Sequence, residues 1–337
     1  MSDQIFNEPR VYTTTVAKER NKKIKSYLIH IGLFIVTFVT ATLAGVEWTT
    51  GQFPPYEFSM IAKGLPYSIS ILLIITFHEF GHYFAAKYHK VRATLPYYIP
   101  LPPIPYFINF GTMGAVIRTK SPIYSKKAMF DIGIAGPISG FIVSMIILIY
   151  GFTHVPSIEY LLQIHPDYFS PDYGKGGLGL IFGDSILFSF FRYIFIQPNS
   201  FFPPMSEVYH YPYLCAGWFG LLITSMNMIP VGQLDGGHIS YTMFGEKKHF
   251  EISSIATVVL SVLGFLGILD TLLGLNFNIG WSGWLFWAFI LYFIIKIKHP
   301  PVSDNLPLDK KRMFLGYVSF FIFVVSFSPT PLVLSGL

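Results

Sequence analysis

The chain has 337 residues, of which 52% are apolar and only 12% are charged, and its mean hydropathy is +0.52. Because a soluble domain carries about 25% charged residues, this composition excludes a soluble globular protein and predicts a polytopic membrane protein. The single cysteine, Cys215, excludes an internal disulfide and a zinc site built from cysteines.

A basic tail precedes a series of apolar segments. Residues 1–25 are polar and basic, which predicts a partly disordered cytoplasmic tail, followed by an integral membrane domain at 26–337. The apolar segments predict an all-α polytopic membrane protein with about seven transmembrane helices. They lie at residues 27–48, 65–87, 128–152, 213–229, 252–273, 281–297 and 313–328.

Lysine and arginine divide unevenly between the two faces of this layout. With the tail inside, 20 of the 23 basic residues lie in inner segments, and only Lys63, Lys175 and Arg192 lie outside. This bias is typical of cytoplasmic loops, so the net charge of +5 reflects topology and does not indicate a nucleic-acid partner. The N-terminus is predicted to be cytoplasmic and the C-terminus to face outward.

Two histidines stand four residues apart near the cytoplasmic end of the second predicted helix. His78 and His82 share one helical face, and Glu79 lies close to it. In this H-E-x-x-H arrangement the imidazoles can bind zinc while the glutamate acts on a water molecule. Ionisable residues inside an apolar helix cost about 3 kcal/mol each, which favours a functional site over histidines hydrogen-bonded to neighbours.

The third ligand of such a zinc site is predicted far downstream, at Asp235. A hydrolytic zinc uses three protein ligands and an open position for water. Asp235 follows the fourth apolar segment, where a carboxylate is costly unless it meets a cation. The alternatives are that Asp235 is a simple turn residue, or that His238 is the ligand; His238 is ranked lower, as a supporting or unrelated residue.

Two connections between helices have distinct compositions. Residues 91–127 are proline-rich and then apolar with glycines, which predicts a membrane-associated β-hairpin or loop, with an ordinary cytoplasmic loop as the alternative. Residues 153–212 form an outer connection that contains one short apolar segment, 184–196. His154, His165 and His210 in this connection have no partner spacing and are predicted to be solvated.

The motifs together resemble those of a known family. The H-E-x-x-H segment, Asn-Met-Ile-Pro at residues 227–230 and Leu-Asp-Gly at 234–236 resemble the site-2 protease family of intramembrane zinc metalloproteases. Residues 110–115 and 130–137 look like its branch known from cyanobacteria and plastids, and no PDZ-like insert is visible. The resemblance covers residues 66–297, with a catalytic core at 65–245.

This resemblance implies a hydrolase, a zinc metalloendopeptidase that cleaves in or near transmembrane segments during regulated intramembrane proteolysis. One zinc ion per chain would be held by His78, His82 and Asp235, with Glu79 as the base. Asn227 would bind substrate, the alternative being a hydrogen bond between helices. The implied partners are a transmembrane protein and the lipid bilayer, the oligomeric state stays open, and the predicted location is a bacterial cytoplasmic (inner) membrane with the site near its cytoplasmic side.

A strand is predicted to hold the substrate. A helical substrate must unwind before it is cleaved, which exposes backbone groups that need new hydrogen-bond partners. An edge strand provides such partners through its backbone groups and does not depend on the identity of most substrate side chains. The residues predicted to do so are Gly111, Thr112, Met113 and Gly114, in the one apolar, strand-like stretch near the zinc helix on the cytoplasmic side.

Two other classes of protein share part of this pattern. Two histidines and a carboxylate also bind iron in non-haem oxygenases, and a membrane-embedded binding protein can use a metal structurally. Glu79 beside His78 favours hydrolysis, and a ligand set that leaves one position open does not fit a purely structural metal. Metal analysis combined with cleavage of a transmembrane peptide separates the three classes.

Overall fold

Helices make up most of the fold. The computed structural model describes residues 9–104, 108–173, 179–274, 279–304 and 306–335, with side chains from Arg20 to Val333. The helices are α1 Pro9–Thr50, α2 Ile61–Tyr88, α3 Lys126–Thr153, α4 Ile158–Ile164, α5 Ile186–Phe195, α6 Pro212–Met228, α7 Asp235–Leu273, α8 Gly283–Ile290 and α9 Lys310–Ser326. The strands are β1 Tyr97–Pro100, β2 Thr112–Val116, β3 Gly179–Phe182 and β4 Leu332–Ser335.

Four helical segments within the described residues are long and apolar enough to cross a membrane. They are Arg20–Thr50, Phe58–Tyr88, Lys126–Thr153 and Asp235–Leu273. A mostly helical, polytopic membrane protein is therefore confirmed. The fourth and seventh predicted spans form the shorter helices α6 and α9, of 17 residues each. The sixth forms α8 and its π-helical continuation Leu291–Ile295, so the count of seven stays a prediction.

Two helix boundaries differ from the sequence prediction. Helix α1 already begins at Pro9, inside the predicted tail, because alanine, lysine, glutamate and arginine follow and all favour helix. Helix α7 is interrupted at Gly245, whose φ of 80° and ψ of 172° are not helical, so Asp235 precedes the break and the predicted fifth span follows it. Residues 1–8 of the tail and Lys175 lie outside the described residues.

Helices α1 and α2 pack antiparallel, with their backbones almost in contact. A Cβ atom added to Gly45 would lie 2.4 Å from the carbonyl oxygen of Gly64, so only glycine permits this approach. Next to it, Thr42 Oγ1 donates a hydrogen bond to Ser68 Oγ at 3.0 Å. The start of α2 therefore lies beside the end of α1, and the later residues of α2 lie at the opposite end of the helix pair.

The hairpin of β1 and β2 runs along α1. Near the start of this contact, His30 Nδ1–H donates to the Pro96 carbonyl oxygen at 3.0 Å. At the other end, Trp48 Nε1–H donates to the Asn109 carbonyl oxygen at 2.8 Å. The helical rise of 1.5 Å per residue makes the distance between His30 and Trp48 about 27 Å. The proline-rich connection therefore lies beside most of the apolar length of α1.

The second sheet joins the C-terminal segment to the predicted outer connection. β3 pairs antiparallel with β4, with Phe182 opposite Leu332 and Gly179 opposite Ser335. Trp218, in the first half of α6, donates from Nε1 to the Gly183 carbonyl oxygen at 2.8 Å. This sheet, the end of α1 and the start of α6 consequently meet at one end of the bundle, because Trp48 and Phe182 are in edge contact there.

Candidate metal centre

Helix α2 presents His78 and His82 toward α3, and both side chains are buried. Their Nε2 atoms lie 3.1 Å apart. The facing residue on α3 is Gly136, and a Cβ atom added to it would lie 2.1 Å from His82 Nε2. A second glycine, Gly140, faces His78, where an added Cβ would lie 3.1 Å from His78 Cβ. The glycines of α3 therefore make room for the two imidazole rings.

Asp235 reaches the two histidines from the first turn of α7. Its Oδ2 atom lies 3.3 Å from His78 Nε2 and 3.4 Å from His82 Nε2. The turn between α6 and α7 is tight, since a Cβ on Gly236 would lie 2.0 Å from the Met228 carbonyl oxygen. The Leu-Asp-Gly sequence thus folds back on the end of α6 and turns the aspartate toward α2.

The three ligand atoms fit a zinc ion. Zinc bonds of 2.0–2.1 Å in a tetrahedron separate two ligand atoms by about 3.3–3.4 Å, and the three separations here are 3.1, 3.3 and 3.4 Å. His82 Nδ1–H donates to the Ile132 carbonyl oxygen at 2.7 Å, which leaves Nε2 with its lone pair toward the cluster. This is the usual orientation of a zinc-binding histidine.

Glu79 is held by the end of strand β2. The backbone N–H of Ile117 donates to Glu79 Oε2 at 2.9 Å, and the glutamate side chain is buried. Sequence reasoning missed Ile117, because the contact uses a backbone group and carries no side-chain signal. It also missed Tyr98, in β1, whose hydroxyl group shares a hydrogen bond of 2.7 Å with Thr76 one turn before the glutamate.

The predicted substrate strand has a buried part and an exposed part. The Gly111 carbonyl oxygen accepts a hydrogen bond from Thr40 Oγ1 at 2.6 Å, and Thr112 Oγ1 donates to the Ile99 carbonyl oxygen at 3.0 Å, so both residues face the protein. Met113 is 71% exposed. Met113 and Gly114 lie where the pairing with β1 shifts register, and Gly114 has a φ of 92°. Substrate binding by these four residues stays a prediction.

Asn227 and His238 lie on either side of the turn that carries Asp235. Asn227 is the last residue but one of α6 and is half-buried. His238 lies one turn beyond Asp235, and its Nδ1 atom is 2.7 Å from His299 Nε2. The cluster of convergent ligand atoms contains His78, His82 and Asp235 without His238, as far as the chain is described. The role of Asn227 stays a prediction.

The prediction that His165 and His210 are solvated is wrong for His210, whereas the His165 side chain is 28% exposed. His210 is buried, and its Nε2 atom lies 2.9 Å from His165 Nε2. Burial lowers the pKa of His210 to about 4, with the nearby His165 acting in the same direction. Glu207 lies beside both rings. No helical or strand periodicity links residues 45 apart, so this contact had no signal in the sequence. His154 is exposed, as predicted.

The fold and this site define a class of protein. It is a polytopic membrane protein in which two helical histidines and a distant aspartate converge beside a buried glutamate. A comparison with protein families matches residues 66–269, more than half of the chain, to "Peptidase family M50". The chain therefore belongs to peptidase family M50, which confirms the resemblance to the site-2 proteases.

Curated relatives carry matching names. The "Probable zinc metalloprotease EGY1, chloroplastic" of Oryza sativa subsp. japonica is 30% identical over 266 residues, covering 72% of this chain and 42% of that protein. The corresponding EGY1 protein of Arabidopsis thaliana is 28% identical over 261 residues, covering 71% and 44%. The "Probable zinc metalloprotease EGY2, chloroplastic" of Oryza sativa subsp. indica is 27% identical over 248 residues, covering 73% and 39%. The chain spans less than half the length of these relatives, and no solved structure matches it.

Proposed function

We propose that the chain is an intramembrane zinc metalloprotease that hydrolyses peptide bonds in or near transmembrane segments of other membrane proteins. The observation that carries this proposal is the convergence of His78, His82 and Asp235 beside Glu79. Membership of peptidase family M50 and the names of the relatives support the same activity. Regulated intramembrane proteolysis is the process in which such an activity acts.

The chemistry assigns each side chain of the site a separate task. His78, His82 and Asp235 would hold the zinc ion, which supplies Lewis acidity and activates water for hydrolysis. Glu79 accepts a proton from the attacking water and returns it to the leaving amine. The Ile117 N–H, by donating to Glu79 Oε2, holds the carboxylate in place before substrate arrives.

The proposed membrane arrangement has seven spans and a cytoplasmic N-terminus. The distribution of basic residues supports it, with 20 of 23 on one face. The pairing of β3 with β4 agrees with an outer C-terminus, because it joins the last described strand to the outer connection. The hairpin lies within the membrane in this arrangement, since it runs along α1, and the metal centre lies toward the cytoplasmic side.

Substrate is proposed to bind as an added strand on β2. β2 has one strand neighbour in its described sheet, β1, and it ends next to the Ile117 contact with Glu79. A substrate strand along its other edge would therefore bring a peptide bond toward the base. Asn227 is proposed to hold the substrate from the other side. The proposed location is a bacterial cytoplasmic membrane; the relatives named above are chloroplast proteins.

The decisive experiment is cleavage of a transmembrane peptide by the purified chain and by Glu79→Gln. The variant should retain its zinc and lose cleavage by a factor of about 10²–10⁴, because a general base is removed and no ligand is lost. Glu251→Gln, at an exposed glutamate outside the site, is the matched control and should cleave normally.

Three results would contradict the proposal. Cleavage by Glu79→Gln at the wild-type rate would exclude the mechanism. Bound iron with oxygen-dependent modification of the peptide would identify an oxygenase, and bound metal without any reaction would identify a binding protein. With cleavage established, a membrane proteome from cells carrying Glu79→Gln should accumulate the full-length natural substrate.

A further inference from the structure

A second cluster of two histidines and a carboxylate lies in the outer connection. His165 follows α4, Glu207 precedes the 3₁₀ turn Val208–His210, and His210 is the last residue of that turn, just before α6. One ligand atom from each side chain lies within 4.8 Å of the other two. Glu207 and His210 are both buried, whereas the side chain of His165 is 28% exposed and gives the cluster access to solvent.

This outer cluster is separate from the inner cluster formed by His78, His82 and Asp235. His210 Nδ1 lies 2.8 Å from the carbonyl oxygen of Trp48, close to the end of α1. The contact between Gly45 and Gly64 places that end of α1 beside the start of α2. From Gly64 to the inner histidines, α2 rises by about 21–27 Å. The two clusters therefore lie at opposite ends of the same helices.

One oxygen atom of the Glu207 carboxylate, in the outer cluster, accepts no hydrogen bond from the described residues. Among the described residues, no donor forms a hydrogen bond with Glu207 Oε2, although the atom is buried. His210 Nε2 and His165 Nε2 lie 3.7 and 3.8 Å from it, which is too far for a hydrogen bond. A buried carboxylate oxygen left in this state is destabilising while the group is ionised, and a cation that meets it removes that cost.

These distances are close to those between ligands that share one metal ion. Two ligand atoms on a tetrahedral zinc are separated by about 3.3–3.4 Å. The separations in the outer cluster are 2.9, 3.7 and 3.8 Å, and those in the inner cluster are 3.1–3.4 Å. The short distance is a hydrogen bond between His165 and His210, and the two nitrogen atoms would separate by about 0.4 Å if both bound one zinc ion.

Surrounding groups orient two of the three ligand atoms, His210 Nε2 and Glu207 Oε2, toward this point. His210 Nδ1–H donates to the Trp48 carbonyl oxygen, so its Nε2 carries the lone pair. Tyr173 donates its hydroxyl hydrogen to Glu207 Oε1 at 3.1 Å, which leaves Oε2 as the free acceptor. Tyr160 donates to the backbone carbonyl oxygen of His210 at 2.8 Å and fixes the turn. Such supporting hydrogen bonds are a regular feature of metal-binding histidines and carboxylates.

We propose that His165, Glu207 and His210 form a second metal site that binds a divalent transition-metal ion, zinc in the first instance. Two imidazoles and one carboxylate are a ligand set that zinc accepts, with water in the fourth position. The ion would join residues 45 apart in the chain and fix the outer connection to the end of α1. The chain would then bind two zinc ions instead of the one expected from the sequence.

The test counts zinc in variants of the full-length purified chain. The Asp235→Ala background removes the inner site, so any zinc that remains belongs to the outer cluster. We expect one zinc ion per chain in Asp235→Ala and none in Asp235→Ala combined with His165→Gln. The matched control is His154→Gln in the same background, since His154 is an exposed histidine of the same connection, and it should keep one zinc ion.

A second measurement avoids the aspartate variant. Wild type should bind two zinc ions, and His165→Gln alone should bind one and still cleave substrate, which shows that the variant is folded. Titration with zinc should show that His165→Gln weakens the outer site by a factor of about 100 or more, because loss of a supporting residue already costs 10–100-fold. Absence of zinc from Asp235→Ala together with one ion in wild type would overturn the proposal, as would an unchanged count in His165→Gln.

These outcomes are independent of the proposed protease activity. A chain that binds two zinc ions and cleaves nothing would contradict the proposed function and leave the outer site standing. A chain that cleaves substrate and binds only one zinc ion would support the proposed function and contradict the outer metal site.

Discussion

The inner and outer clusters use the same ligand types in different settings. Each has two imidazole nitrogens and one carboxylate oxygen close together. The inner histidines lie one turn apart on α2, and their carboxylate begins α7. The outer ligands lie after α4 and around a short 3₁₀ turn. The inner geometry therefore depends on rigid helices, whereas the outer geometry depends on the folding of a long connection.

The clusters also differ in what lies beside the ligands. The inner cluster has a further carboxylate, Glu79, which is held by the end of a strand. In the outer cluster Glu207 is itself one of the three converging groups, and Tyr173 occupies its second oxygen. Hydrolysis needs a base in addition to the ligands. A set of metal ligands alone therefore does not define a hydrolytic site, and three variants test the difference between the two clusters.

The largest expected effect is from Gly136→Ala, which acts on the inner cluster only. The new methyl group would lie 2.1 Å from His82 Nε2, so the ring must move away from its partners. A displacement of about 1 Å in a catalytic site costs about 100-fold in rate, and we expect at least that loss of peptide cleavage. Zinc analysis should show loss of the inner ion with the outer ion retained.

Gly32→Ala is the control for this substitution. Gly32 also lies inside a helix, but a Cβ atom there meets nothing within 4 Å, so zinc content and cleavage should stay at wild-type values. If Gly136→Ala keeps both zinc ions and cleaves normally, the packing of α3 against the histidines does not matter for the inner cluster.

A smaller effect is expected from Tyr173→Phe, which acts on the outer cluster only. Removing the hydroxyl group frees Glu207 Oε1 and loosens the carboxylate. Zinc affinity of the outer site should fall by about 10–100-fold, the usual effect of losing a supporting hydrogen bond. Isothermal titration calorimetry of zinc into Asp235→Ala, with and without Tyr173→Phe, measures this affinity. Unchanged affinity would show that the tyrosine does not orient the ligand.

The smallest expected effect is from Met113→Pro, which tests the strand beside the inner cluster. Met113 is not paired with a residue of β1 in the register of the hairpin, and proline there removes the one backbone donor of that position. One lost hydrogen bond of about 1–1.5 kcal/mol corresponds to about a tenfold drop in cleavage. Met113→Leu should cleave normally. Equal rates for both variants, with both zinc ions present, would exclude strand addition at this position.

The local part of the inner cluster was predictable from the sequence. Four residues make about one helical turn, so His78 and His82 had to share a face once α2 formed. The apolar setting indicated that these ionisable side chains are functional. The prediction that Asp235 converges on them required only that the second and fourth helices end on the same side, which the basic residues indicated.

The contacts made by backbone groups were not predictable. Every residue but proline has an N–H group, so nothing in the sequence marks Ile117 as the one that meets Glu79. The outer cluster was missed for a related reason, because His165 and His210 become neighbours only when a connection of 45 residues folds back on α1.

The amino-acid sequence was enough to predict the membrane class, the resemblance to a family and the residues that can bind metal at helical spacing. Hydropathy and helical periodicity are local properties, and each follows from side chains close together in the chain. Which of the remaining polar groups come into contact depends on the folded chain. That outcome depends on the close approach of helices at glycines such as Gly136 and Gly45, and on where the long connections pack. Packing of this kind arises between segments distant in sequence, so no short stretch of the chain encodes it.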